Sequence, residues 1–96
     1  MTGYEAVKKL ASTYPDWIPL VEAALVVSKS CQGDQFAGRW VLNKMKEKGI
    51  DRFPHLRRLV AFEILERKDV SRGGKRAYYT IPDPEGVERA LKELVQ

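Results

Sequence analysis

The stretch GIDRFPHLRRLVAFEILERKDVSRGGKRAYYTI, residues 49–81, changes its periodicity halfway along. Up to Phe62 apolar residues return every three or four positions, as on one helix face; from Glu63 they alternate, as along a strand. Gly49-Ile50-Asp51 makes a short turn, and Gly49 suits the left-handed backbone that closes a helix. Two helices joined by such a turn form a helix-turn-helix pair. Gly73-Gly74 then separates two alternating segments and permits the positive φ angles of a tight strand turn, which predicts a hairpin over 64–81. Two registers compete. A three-residue turn, Arg72-Gly73-Gly74, sets Leu65 opposite Ile81 and Arg67 opposite Tyr79, whereas a two-residue turn sets Glu66 opposite Ile81; the first is favoured because it buries an apolar pair.

The second helix of the pair is predicted over 52–62, with Asp51 as its cap. At about 100° per residue, Phe53, Leu56, Leu59 and Val60 share the buried side. Pro54, Arg57, Arg58 and Ala61 share the exposed side and His55 borders it; Arg52, at the start of the helix, is a further candidate contact. Two arginines flanked by small apolar groups suit the DNA major groove, because a guanidinium fork can donate two hydrogen bonds to guanine and a small apolar group can touch a thymine methyl. A solvated helix face carrying two ordinary arginines is the competing reading. Arg72, Lys75 and Arg76 on the hairpin fit phosphate or minor-groove contacts, or else guard a strand edge against association.

Outward from this region, helices are expected over 3–14, 17–29, 35–48 and 84–95. Thr2-x-x-Glu5 is a capping-box spacing ahead of the stripe Tyr4, Val7, Leu10, Ala11, Tyr14. Asp16 is positioned to cap the second helix, whose residues from Ile18 to Val27 leave almost no polar face, as expected of the buried centre; a strand over 24–27 competes. Asp34 is positioned to cap the third helix, with Phe36, Ala37, Trp40, Val41, Lys44 and Met45 as its inner stripe. Asp83-Pro84 starts the last helix, cap then first residue, with Val87, Ala90, Leu91, Leu94 and Val95 inward. Trp17 and Trp40 read as core anchors, and of Tyr78 and Tyr79 one packs while the other faces outward.

His55-Leu56-Arg57-Arg58-Leu59, Ile64-Leu65-Glu66-Arg67 and Arg72-Gly73-Gly74-Lys75-Arg76-Ala77-Tyr78-Tyr79-Thr80-Ile81 together resemble the recognition helix and wing of winged helix-turn-helix regulators, most closely the ArsR and MarR repressor types. The resemblance implies a mainly α fold with a small β-hairpin (α+β): about five helices plus a two-stranded wing in one domain over 1–96. It implies binding of double-stranded DNA by the helix 52–62 and the wing 70–77. The sequence departs from the pattern in two places. Such families commonly have Gly where Glu63 stands, and the segment before His55-Leu56 is short, with Pro54 in its place.

Charge supports the same region. Of the net +4, residues 52–76 carry +5, eight cations against three anions, and the rest of the chain carries −1. A concentrated basic surface favours polyanions. Cys31 and His55 are each the sole residue of their type, which leaves no intrachain disulfide, no zinc-type ligand cluster and no expected cofactor. No phosphate-loop, nucleophile-elbow or clustered His-carboxylate motif points to an enzyme. The absence of a long apolar run or signal-peptide pattern predicts a cytoplasmic chain without a membrane partner. The expected function is sequence-specific DNA binding by a transcriptional regulator, a homodimer through the apolar stripes of the first and last helices. The competing function is a winged-helix module that docks on a protein.

Overall fold

In the computed structural model of the chain, which describes residues 2–32, 35–53, 55–68 and 78–95, helix α1 (Gly3–Thr13) begins at Thr2, whose hydroxyl accepts from the Glu5 N–H at 3.2 Å. A 3-10 turn (Pro15–Trp17) leads into α2 (Ile18–Ser30). The turn itself supplies acceptors: Trp17 N–H bonds to the Tyr14 carbonyl and Ile18 N–H to that of Pro15, while Pro19 has no N–H to satisfy. The Asp16 side chain is therefore not needed as a cap and makes no capping bond, contrary to the sequence expectation. α2 is the core helix, with Leu20, Val21, Ala23, Ala24, Leu25 and Val27 all buried.

The periodicity that predicts one helix over 35–48 conceals a strand. Phe36–Ala37 forms β1, and α3 (Gly38–Glu47) opens directly behind it at Ala37 with no side-chain cap; Asp34, the expected cap, lies outside the described residues. β1 pairs with β3 (Tyr78–Thr80), which pairs on its other side with β2 (Glu66–Lys68), giving a three-stranded antiparallel sheet in the order β1-β3-β2 instead of a two-stranded hairpin. Its physical basis is the pair Phe36–Tyr79: directly opposed in register, both buried, with ring centroids 6.4 Å apart. Gly38 lets the start of α3 lie against the sheet, because a Cβ there would sit 2.8 Å from the Tyr79 ring. On the other side Arg67 faces Tyr79, as the three-residue turn predicts, and Leu65 and Ile81 are both buried.

α4 is shorter than expected, Arg57–Ala61 in place of 52–62, and Asp51 does not cap it. A residue preceding proline is disfavoured from helical backbone, and Phe53 precedes Pro54. Residues 51–53 accordingly lie outside any helix, with the Phe53 ring edge-on to Trp17 at 4.8 Å.

Both helices of this pair close in the same way. Gly49 N–H bonds to the Lys46 carbonyl and Ile50 N–H to that of Met45, with Gly49 at φ +80°; this is the closure that a left-handed residue makes possible. At the end of α4, Glu63 N–H bonds to Val60 and Ile64 N–H to Leu59, with Glu63 at φ +65°. A side chain there opposes a conformation that glycine adopts freely. Glu63→Gly is expected to stabilise the fold by about 0.5–1 kcal/mol, the steric relief exceeding glycine's extra chain entropy. Denaturant midpoints measure it, and a destabilised variant would contradict the assignment.

α5 (Pro84–Val95) runs beside α1. Asp83 joins their beginnings: Oδ1 accepts from the Gly86 N–H at 3.2 Å, within α5, and Oδ2 accepts from the Gly3 N–H at 2.9 Å. Gly3 and Gly86 are buried at this meeting point, and a Cβ on Gly86 would stand 2.9 Å from the Tyr4 backbone nitrogen. Further along, Arg89 lies over the Tyr4 ring and Lys8 lies 4.0 Å from Glu93. The hydrogen bond to Glu93 raises the Tyr4 hydroxyl above its ordinary pKa. Ala6, Val7 and Leu10 of α1 and Val87, Ala90 and Leu91 of α5 are buried within the monomer. Of the stripes that suggest dimerisation in the sequence, Val7, Leu10, Val87, Ala90 and Leu91 are thus already covered, while Tyr4, Ala11 and Tyr14 are half-buried and Leu94 is exposed. α5 also meets α2 through Lys29, which donates to Glu88 at 2.6 Å and holds that carboxyl below its ordinary pKa. The small stabilisation from this exposed pair persists near neutrality and fades on acidification through the depressed pKa.

Candidate nucleic-acid interface

α4 is held by its inner side. Leu56 and Leu59 are fully buried, Phe53 nearly so and Val60 partly, in agreement with the helical phase read from the sequence. Arg57 and Ala61, one turn apart, share the outward side and are exposed. His55 is exposed beside them, and its Nδ1 accepts from the Arg57 backbone N–H at 3.3 Å. That bond assigns the proton of the neutral ring to Nε2. An outward donor fork, a ring nitrogen and a methyl group therefore lie together at α4, which residues 48–56 link to α3 in place of the three-residue turn expected from the sequence.

The other two described arginines of the predicted site point elsewhere. The Arg58 guanidinium is half-buried, 4.0 Å from the centroid of Tyr14 and 4.8 Å from that of Trp17. Phe62 packs edge-on against Tyr14, and Phe53 against Trp17, so the cation occupies the centre of an aromatic row that fastens α4 to the end of α1. Arg52 is exposed but directed the same way: its Nη2 donates to the Asp16 carbonyl at 2.7 Å and its guanidinium lies over Phe53. Helical phase alone assigns Arg58 to the outward side because it takes no account of the neighbouring element. Pro54, Arg72, Lys75 and Arg76, the remaining predicted contacts, lie outside the described residues.

α3 adds charge that the sequence reading missed. Residues 38–48 hold four cations, Arg39, Lys44, Lys46 and Lys48, against Glu47 alone. This local imbalance was the available signal. Trp40, expected inside, is 40% exposed and stands edge-on to Tyr78 with centroids 6.5 Å apart. Opening the helix at Gly38 commits Gly38, Val41 and Met45 to the core and turns Trp40 toward β3. Of the two tyrosines, Tyr79 is buried and Tyr78 half-exposed. Lys68, opposite Tyr78 in register, is paired with Glu66 at 3.0 Å.

Among the described residues no group of three or more His, Cys, Asp or Glu side chains could hold a metal ion, and no helix is long and apolar enough to cross a membrane. Cys31 is a half-buried free thiol. No protein family, curated protein or solved structure matches the chain.

Proposed function

We propose that the chain is a winged-helix protein that binds double-stranded DNA and acts as a transcriptional regulator. One observation carries the reading. β1 directly precedes α3 and is hydrogen-bonded to β3, so the strands that flank the expected wing are tied to the start of α3. Cations on the hairpin and cations on the helices then act from one framework. In this reading Arg57 donates to a base edge in the major groove, Ala61 touches an apolar base substituent, and His55 and the α3 cations contact phosphates. The wing cations Arg72, Lys75 and Arg76 extend the contact along the backbone or into the minor groove. Binding as a homodimer to a symmetric operator would use surfaces other than the buried stripes of α1 and α5.

The test is titration of the purified protein onto random duplex DNA at low salt, followed by selection of bound fragments from genomic DNA. With about four phosphates neutralised per subunit, log K is expected to fall with log salt at a slope of about −3 to −4. One observation favours a protein-docking winged-helix module instead: α4 spans only five residues, and Arg58 is engaged inside the protein. Absence of any shift at micromolar protein would select that reading, because a surface with this much excess positive charge binds duplex DNA nonspecifically.

A further inference from the structure

We propose that Trp40 and Tyr78 form a stacking platform for an unpaired nucleobase, and that a single-stranded nucleic-acid segment binds across α3 and the outer face of the sheet. It shares the α3 cations with the duplex reading but rests on the two rings, which that reading does not use. Three observations converge on it.

The first is exposure. Trp40 is one of three large apolar residues that the described surface leaves accessible; the other two, Val26 and Leu94, belong to α2 and α5. Its neighbours on α3 are polar, Arg39 and Asn43, so the indole is not the rim of a larger apolar face. The second is rigidity. The rings of Trp40 and Tyr78 meet at 88°, an edge-to-face contact that restrains both side chains before any ligand arrives.

The third is charge. Lys68 faces Tyr78 across the strands and lies on the same side of the sheet, Lys44 stands one helical turn beyond Trp40, and Arg39 is its immediate neighbour. Among the described residues Glu66, paired with Lys68, and Glu47, two turns beyond Trp40 on α3, oppose them. An aromatic face bordered by cations matches a base attached to a phosphate, and stacking tolerates any base because each has a π face. A protein partner fits less well. Two rings provide far less than the roughly 800 Å² per partner that a stable protein interface buries.

The experiment uses labelled oligothymidylate of about 10 nucleotides, with binding followed by anisotropy at low salt. Trp40→Ala is expected to weaken binding about tenfold or more, and Trp40→Phe to retain most of it, since an aromatic face remains. In a Trp17→Phe background, where Trp40 is the only indole, saturating oligonucleotide is expected to quench the emission. Circular dichroism confirms that each variant is folded, and Trp40→Ala is expected to leave duplex affinity unchanged. Equal oligonucleotide binding by wild type and Trp40→Ala, bound oligonucleotide without quenching, or no binding of the single strand by wild type would each overturn the proposal. Duplex binding that fails to respond to Arg57→Ala would leave it standing, so the two readings fail separately.

Discussion

An Asp83→Ala variant is expected to melt on the order of 10 °C below the parent chain. The carboxylate closes two helices at once, accepting from Gly86 at the start of α5 and from Gly3 at the start of α1. Each lost cap costs about 1 kcal/mol, and in a domain of this size each kcal/mol lowers the melting temperature by about 4–8 °C. Asp83→Asn provides a graded control. Its amide keeps one acceptor oxygen and turns an NH2 group toward the other backbone N–H, so it restores one bond and leaves the second donor facing a donor. The expected order of stability by calorimetry is Asp, then Asn, then Ala. Equal melting of all three would show that the two helix starts are held by packing alone. Gly86→Ala offers an independent check, because a Cβ there intrudes on both the Asp83 carboxylate and the Tyr4 backbone, and it is expected to be at least as destabilising.

Arg57 and Arg58 adjoin in sequence and are expected to separate cleanly in their effects. Arg57→Ala is expected to reduce affinity for a selected operator about tenfold to a hundredfold, in line with about 1–3 kcal/mol for a bidentate base contact, with the melting temperature unchanged. Arg58→Ala is expected to do the reverse. It removes a cation held between Tyr14 and Trp17, worth about 1–2 kcal/mol for a partly desolvated group, and lowers stability with little direct effect on sequence preference. Arg58→Lys recovers only part of that stability, since a point charge on a flexible stem does not stack as a planar guanidinium does. Competition titrations with operator and random duplex, alongside thermal melts, resolve the two. A loss of sequence preference in the Arg58 variant and not in the Arg57 variant would reverse the assignment.

What the sequence made legible was mostly local. The strand register followed from alternation and from pairing Leu65 with Ile81, and the start of α5 from Asp83 followed by Pro84. Gly49 marked the end of α3 because few other residues take that backbone angle without strain. β1 escaped notice because Phe36 and Ala37 fit a helical stripe as well as a strand, and only a partner more than 40 positions later decides between them. The start of α4 was readable in principle from Phe53 preceding proline, but the apolar phase continued through it and outweighed the break. Arg58 and Trp40 were misplaced for a common reason. Periodicity divides a helix into two sides and cannot reveal that Tyr14 and Trp17 cover one outward position or that Tyr78 stands beside another. Asp83's bond to Gly3 is the extreme case, with nothing near either residue to announce it.

That bond spans 80 positions. A chain emerging vectorially from the ribosome exposes the residues of α1 long before their carboxylate acceptor has been translated, so α1 must wait for α5 to be synthesised before the two can dock. Large sequence separation between partners slows the search for the native arrangement, and here it delays the α1–α5 packing until α5 has been made. Until then Val7 and Leu10 lack the surface that covers them, which makes nascent chains stalled before Asp83 the species most prone to capture by chaperones or to aggregation.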